Sequence, residues 1–390
     1  MKNILTQIKM SFTKFIILML SYSFLIAHKT EGIRLTKVAE IDLDKQYQLL
    51  RKPSTKTIQT EYGDVYDCID FYRQPAFDHP LLKNHTFYPE MRSTYTSNED
   101  EKRCSDIMAN VVLKDGGCPK GTVPIRRVSK EEFYKIHRFT NSYATSGIQP
   151  KPGTHYAVIQ TNSNPSTVTY SGEGGTFNAY NISLEQSQYS AAEFLIQNDD
   201  DRIKAGWMVN PTVNKDNHAR IFGYFDAGQS HCFNTLCPGF VAVRKDIYLG
   251  IPLTPLSVRG EMPYYFQMRI HQDIVNGNWW LNVCGEDIGF WPKQIFTTMS
   301  NTATLVAVGG EAYSPIDRPL PPMGNGYYPV QSMRLSAYCS HIVFVDGNHR
   351  IIDHPETARY TDDPHYGIID AGVTNPFGRL IFFGGTAPAT

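Results

Sequence analysis

Lys204 and Glu311 are the two side chains in this 390-residue sequence whose type and placement could do chemistry. Read as a strand, Ile203-Lys-Ala-Gly-Trp-Met-Val209 puts Ile203, Ala205, Trp207 and Val209 on one face and Lys204, Gly206 and Met208 on the other. The first set suits a core, so Lys204 points to the opposite face, where a cleft can form. In Leu305-Val-Ala-Val-Gly-Gly-Glu311 the same alternation sets Glu311 with Gly309 and Ala307, away from Val306 and Val308. Glycines beside an acid let a ligand or another backbone approach closely. A carboxyl on such a face could move protons; on its own, a solvated Glu at a strand end is the plainer reading. Cys232 and Cys237 are close enough to close a small loop by a disulfide. A zinc reading of that pair needs a second ligand pair, and only His218 and His231 are near, so no metal and no cofactor is expected.

These residues need strands to position them, and the composition supplies strands. The chain is 41% hydrophobic, 12% aromatic and 19% charged, with 23 Tyr, 29 Gly and 24 Pro, a balance that fits a turn-rich β protein better than a helical one. From His155 onward, short β-like runs such as Tyr156–Thr161, Ala205–Val209, Arg220–Phe225, Tyr264–Ile270, Trp279–Val283, Thr304–Val308 and His341–Val345 alternate with Gly, Pro, Asn and Asp. Many short strands and no long helical window predict an all-β, antiparallel two-sheet β-sandwich over 155–390. Net charge is −1, with no basic stripe of interleaved aromatics, so nucleic acid is excluded as a partner.

The N-terminal part differs. Lys2, Lys9 and Lys14 precede an apolar run from Phe15 to Ala27, about the length of a signal-peptide core and short for a membrane span. Residues 1–27 are therefore expected to be a signal peptide, leaving a secreted, extracellular or cell-wall protein with no membrane partner. Sequons at Asn84 and Asn181 agree with export and glycosylation. Residues 33–128 predict a smaller mixed α/β domain: a helical stripe that stops before Pro53, two short strands at 57–60 and 65–71, and a turn at 61–64 between them. Ser129-Lys-Glu-Glu132 is a capping box that starts a short helix. Residues 129–154, rich in Ser, Thr, Gly and Pro after 139, read as a linker and processing region. Seven cysteines, Cys68, Cys104, Cys118, Cys232, Cys237, Cys284 and Cys339, leave at least one free or intermolecular.

Several motifs taken in order resemble one family. Asp64-Val-Tyr-Asp-Cys-Ile-Asp-Phe-Tyr, Gln74-Pro-Ala-Phe-Asp-His-Pro and Gly117-Cys-Pro-Lys-Gly-Thr-Val-Pro-Ile-Arg-Arg are similar to the activation peptide of the neprosin family of secreted plant proteins. Ala205-Gly-Trp-Met-Val-Asn-Pro, Cys232-Phe-Asn-Thr-Leu-Cys-Pro-Gly-Phe, Val275-Asn-Gly-Asn-Trp-Trp-Leu281, Gly289-Phe-Trp-Pro and Gly309-Gly-Glu resemble its peptidase domain. The resemblance implies a sandwich preceded by an inhibitory pro-region, and a glutamic peptidase that cuts after Pro at acid pH. Two Glu carboxyls would share that work, one as base and one as acid. Gly309-Gly-Glu matches the second acid, making Glu311 the retained one. The first acid belongs immediately before Ala-Gly-Trp, where this sequence has Lys204. A nearby cation lowers the pKa of a Glu. Glu193, Asp199, Asp200 and Asp201 are near in sequence as substitutes; Asp201 is out of phase with Lys204. The family's C-terminal cysteine pair is absent, which leaves Cys284 and Cys339 as a candidate pair.

Two functions follow as expectations. One is a prolyl endopeptidase with an altered pair of acids. The other is a catalytically inactive relative whose cleft binds a Pro-rich peptide or protein, or a wall polymer. Trp279, Trp280 and Trp291 could line such a groove, although Trp in a sandwich is more often core. Its own pro-domain is the further partner implied.

Overall fold

Strand alternation between Ala, aromatic and β-branched residues governs this fold. The computed structural model describes residues 41–95, 104, 112, 113, 116–144, 151–161, 168–228, 230–352 and 355–386. The N-terminal apolar run lies outside them. The chain forms two compact units, Met1–Arg51 and Lys52–Thr390. In the first, residues 41–50 are helical.

The second unit holds three sheets. A small antiparallel sheet joins β1 (Ser54–Gln59), β2 (Val65–Asp70) and β3 (Thr122–Arg126) in that order. A seven-stranded sheet runs in the order β17 (Thr357–Thr361), β4 (Thr154–Thr161), β14 (Leu305–Tyr313), β6 (Tyr189–Asn198), β7 (Asp201–Val209), β8 (Arg220–Ala227) and β9 (Ser230–Phe233). A nine-stranded sheet runs β10 (Val241–Ala242), β13 (Glu286–Trp291), β12 (Trp279–Val283), β11 (Tyr265–Gln272), β5 (Tyr170–Asn178), β15 (Ala337–Asp346), β19 (Gly378–Gly385) and β18 (Tyr366–Thr374), with β16 (Ile351–Ile352) beside β15. Every pairing between these strands is antiparallel.

The two large sheets stack as a β-sandwich. Ile203, Ala205, Trp207 and Val209 of β7 are fully buried, as are Phe194 and Ile196 of β6. Phe194 meets Phe177 of β5 with ring centroids 4.7 Å apart, and the Trp207 indole N–H donates to the Asn178 carbonyl at 2.9 Å. Trp279, Trp280 and Trp291 are all core residues, at most 1% exposed, so they line no groove.

The segment read as a linker is for its first half a regular helix, α1 (Lys130–Tyr143). Its capping box is formed: the Glu132 backbone N–H donates to Ser129 Oγ and the Ser129 N–H to Glu132 Oε2. Phe133, Ile136 and Thr140 form its buried face, extended by Phe139 and Tyr143. The Ser- and Thr-rich composition after 139 hid the last turn. Arg126 at the end of β3 holds the start of α1, its guanidinium donating to Glu132 Oε1 at 2.7 Å and to the Val213 carbonyl at 2.9 Å. Arg126 is buried, and Arg127 pairs with Asp67, so this dibasic pair is built into the fold.

Disulfides join Cys68 to Cys118, Cys104 to Cys284 and Cys232 to Cys237. The pairing of Cys284 with Cys339 is therefore corrected. Cys339 lies in β15 in register with Phe177, fully buried and free, whereas Cys284 sits at the turn between β12 and β13. Cys104 thus ties the segment ahead of α1 to the sandwich.

Candidate functional site

Three adjacent strands of the seven-stranded sheet build the site. β6 lies between β14 and β7, with Glu193 in register with Gly309 on one side and Gly206 on the other. A Cβ on Gly206 would come within 1.9 Å of the Ala192 carbonyl oxygen, and one on Gly309 within 2.2 Å of the Ala157 carbonyl oxygen. Both positions exclude any side chain. Glu193 therefore stands between two bare positions, and Lys204 and Glu311 lean in from either side.

The three side chains meet. The Lys204 ammonium lies 3.0 Å from Glu193 Oε1 and forms an ion pair and hydrogen bond with Glu311 Oε2. The Tyr189 hydroxyl donates to the other Glu311 oxygen, Oε1, at 2.7 Å. Lys204 also donates to the Tyr143 hydroxyl at 3.0 Å, and stands 5.0 Å and 5.7 Å from the Tyr143 and Tyr156 ring centroids. Lys204 and Glu193 are 4% exposed and Glu311 is 1% exposed, so a solvated Glu311 is excluded.

Burial sets the electrostatics. It opposes the charge on Lys204, but the Glu193 and Glu311 carboxyls more than offset this and hold its pKa well above the ordinary lysine range. Burial also pushes carboxyls up. For Glu193 it is reinforced by the adjacent Glu311, and Lys204 does not offset it, so Glu193 stays well above the carboxylate range. For Glu311 the Lys204 charge and hydrogen bonds from Glu193, Lys204 and Tyr189 win, and its pKa falls below the ordinary value. The site therefore holds an ammonium between two carboxyls whose pKa values are pushed apart, Glu311 down and Glu193 up.

Helix α1 closes this site. Phe139 and Tyr143 pack onto Tyr189, Met208, Phe222, Tyr224 and Phe233 on the same sheet face. Farther along the face, Arg202 pairs with Asp226 at 3.8 Å, and burial lifts the Asp226 carboxyl to about 6.

Of the sequence-level candidates, Lys204 and Glu311 come together and Glu193 joins them. Asp201 does not. It begins β7, and its carboxylate accepts backbone N–H groups from Thr297, Thr298 and Met299 as a structural anchor. Asp199 and Asp200 occupy the β6–β7 turn. Tyr143, Tyr156 and Tyr189 were missed. Their only sequence signal was that Tyr189 lies two alternations before Glu193. Asn84 and Asn181 are both exposed.

The Neprosin family model matches residues 186–386, and the model for the Neprosin activation peptide matches residues 57–168. Among solved structures, the chain is similar to scytalido-glutamic peptidase with a peptide-based transition-state analogue (8% identity, 60% of this chain and 99% of that one, TM-score 0.34). It is also similar to SCP-B, an eqolisin-family peptidase bound to the tripeptide Ala-Ile-His (8% identity, 60% and 98%, TM-score 0.34). These structural likenesses are weak, and the assignment rests on the two sequence models. With an activation-peptide segment ahead of a Neprosin segment that spans half of its length, this chain belongs to the neprosin family.

Proposed function

We propose that this is a secreted neprosin-family protein whose two-carboxyl hydrolytic centre has become a closed Glu–Lys–Glu site, and whose cleft binds peptide without cutting it by the two-Glu route. One observation carries the reading: the Lys204 ammonium sits between Glu193 and Glu311, within ion-pair reach of both. Hydrolysis by paired carboxyls needs an ionised oxygen free to take a proton from water. Glu311 gives one oxygen to Lys204 and the other to Tyr189, and the cation makes it a weaker base. The two carboxyls favour the charged form of Lys204, which works against a route in which a neutral amine acts as base. Secretion is supported by the N-terminal charged and apolar run, the exposed sequons at Asn84 and Asn181, and three disulfides.

A second reading has its own support. Two buried carboxyls around one ammonium, with pKa values pushed in opposite directions, are equipment that a two-acid hydrolase could use. Glu193 would then stand in for the acid that Lys204 displaced. The full chain, nicked between α1 and β4 and acidified, is offered a peptide with an internal proline. The first reading expects wild type to bind the peptide intact and Lys204→Glu to cut it. Cleavage by wild type that Glu193→Gln abolishes favours the second. Cleavage that survives both Glu193→Gln and Glu311→Gln sinks both.

A further inference from the structure

Helix α1 leaves an imprint of what the cleft accepts. The Tyr143 ring lies 4.7 Å from Tyr224, 4.9 Å from Phe233 and 5.4 Å from Tyr189, edge-on or tilted to each. Aromatic pairs prefer that geometry, so these walls favour a flat ring over an aliphatic chain or a prolyl ring. The Tyr143 hydroxyl reaches the floor and accepts from Lys204. A bare phenyl group there would leave the buried ammonium one partner short. Charge discriminates in the other direction. The Lys204 charge is already matched by Glu311, and Glu193 is a second carboxyl 3.0 Å away. A carboxylate or phosphate entering beside Lys204 would meet two carboxyls, and Arg202 farther along the face is already paired with Asp226. A neutral hydroxyl on an aromatic ring satisfies every one of these constraints.

Building on the reading of this cleft as a peptide-binding site, we propose that its ligand is a peptide with an unmodified tyrosine. The tyrosine ring replaces Tyr143 among Tyr189, Tyr224 and Phe233, and its hydroxyl accepts from Lys204. The cleft then reads tyrosine rather than proline, and phosphorylation of that tyrosine blocks binding.

The test uses the full chain with Phe139→Ser and Tyr143→Ser, which strips α1 of both rings in the cleft. The probes are a capped peptide with one Tyr flanked by Pro and Ser, its Phe analogue and its phosphotyrosine analogue, titrated by fluorescence anisotropy. The Tyr peptide is expected to bind about 10- to 150-fold more tightly than the Phe peptide, the worth of one hydrogen bond to a charged group. The phosphotyrosine peptide should bind more weakly than either. Equal binding of Tyr and Phe peptides, or tighter binding of phosphotyrosine, overturns the proposal. Tyr143→Phe serves as a second variant that keeps the α1 packing. The Tyr peptide should displace α1 from it at a lower concentration than from wild type, read as faster tryptic cutting at Lys135 and Arg138; no difference counts against the proposal. Mass spectrometry of the recovered peptide separates the two claims. A cut peptide refutes binding without hydrolysis and leaves the tyrosine preference standing, whereas an intact peptide bound without regard to Tyr or Phe refutes only the preference.

Discussion

Replacing Lys204 with Met keeps an unbranched side chain, one heavy atom shorter, and removes its charge. In wild type the ammonium lies between Glu193 and Glu311, all three at most 4% exposed. Removing one partner of a buried ion pair costs about 3–5 kcal/mol, because the remaining charge is left uncompensated. For a unit the size of Lys52–Thr390 that corresponds to a drop in Tm of about 4–7 °C. The cost must depend on pH, with a definite sign. In wild type, Glu311 has a lowered folded pKa and supplies stability above its unfolded pKa that is lost as pH falls through the folded value. Glu193 has a raised folded pKa; its contribution is present below its unfolded pKa and is lost as pH rises through the folded value. Without Lys204, Glu311 loses the charge that held it down, and both carboxyls behave as Glu193 does. Lys204→Met should therefore be most destabilised at neutral pH and recover as pH falls through the carboxylate range. The double variant Lys204→Met with Glu193→Gln removes one of the stranded acids and should regain part of the loss at neutral pH. Thermal unfolding followed by circular dichroism at acid and neutral pH reads all of this. A single variant as stable as wild type at neutral pH, or one that weakens on acidification relative to wild type, would refute the buried-triad reasoning.

Three further outcomes are expected. After a protease cut between α1 and β4, the wild-type fragments should run as one species without reductant, because Cys104 and Cys284 lie on opposite sides of the cut; Cys104→Ser should part them, and separation of unreduced wild type would contradict the Cys104–Cys284 bond. Asp201→Ala removes the acceptor for the backbone N–H groups of Thr297, Thr298 and Met299, and the buried Met299 N–H left unpaired costs roughly 1–3 kcal/mol; an unchanged urea midpoint would rule out the anchoring role. When the chain is made in a eukaryotic secretory host, Asn84→Gln and Asn181→Gln should each raise gel mobility by one glycan step, and identical mobility before and after glycosidase treatment would count against export through a glycosylating compartment.

The face assignments in β7 and β14 were legible because strand periodicity is two, and one apolar residue in each pair declares the core. The start of α1 was legible from its capping box. What escaped depends on long-range pairing. Glu193 belongs to the site only because β6 is inserted between β14 and β7, and a sequence does not state strand order. Even so, its two flanking glycines, Gly206 and Gly309, are each visible as bare positions in otherwise apolar strands. Cys104 and Cys284 are 180 residues apart, and seven cysteines allow many pairings. The end of α1 was lost because Thr140, Asn141 and Ser142 dilute the pattern, although Phe139 and Tyr143 stand four apart on one face.

Stability alone does not explain the trio of Lys204, Glu193 and Glu311. A buried ion pair is a weak stabiliser, and well-packed apolar residues of the same volume would serve the sheet at least as well. A pro-region that needed only to cover an apolar face would have no use for a hydroxyl aimed at an ammonium, yet Tyr143 presents one. When α1 leaves, Lys204 keeps Glu193 and Glu311 but loses the tyrosine hydroxyl, and the rings around it lose their filling. The open cleft is then short of one neutral hydroxyl and one aromatic ring, held at a fixed distance from each other. Gly206 and Gly309 stay bare beside Glu193 because a side chain at either would strike a neighbouring backbone carbonyl, so neither position can fill that gap from within the sheet.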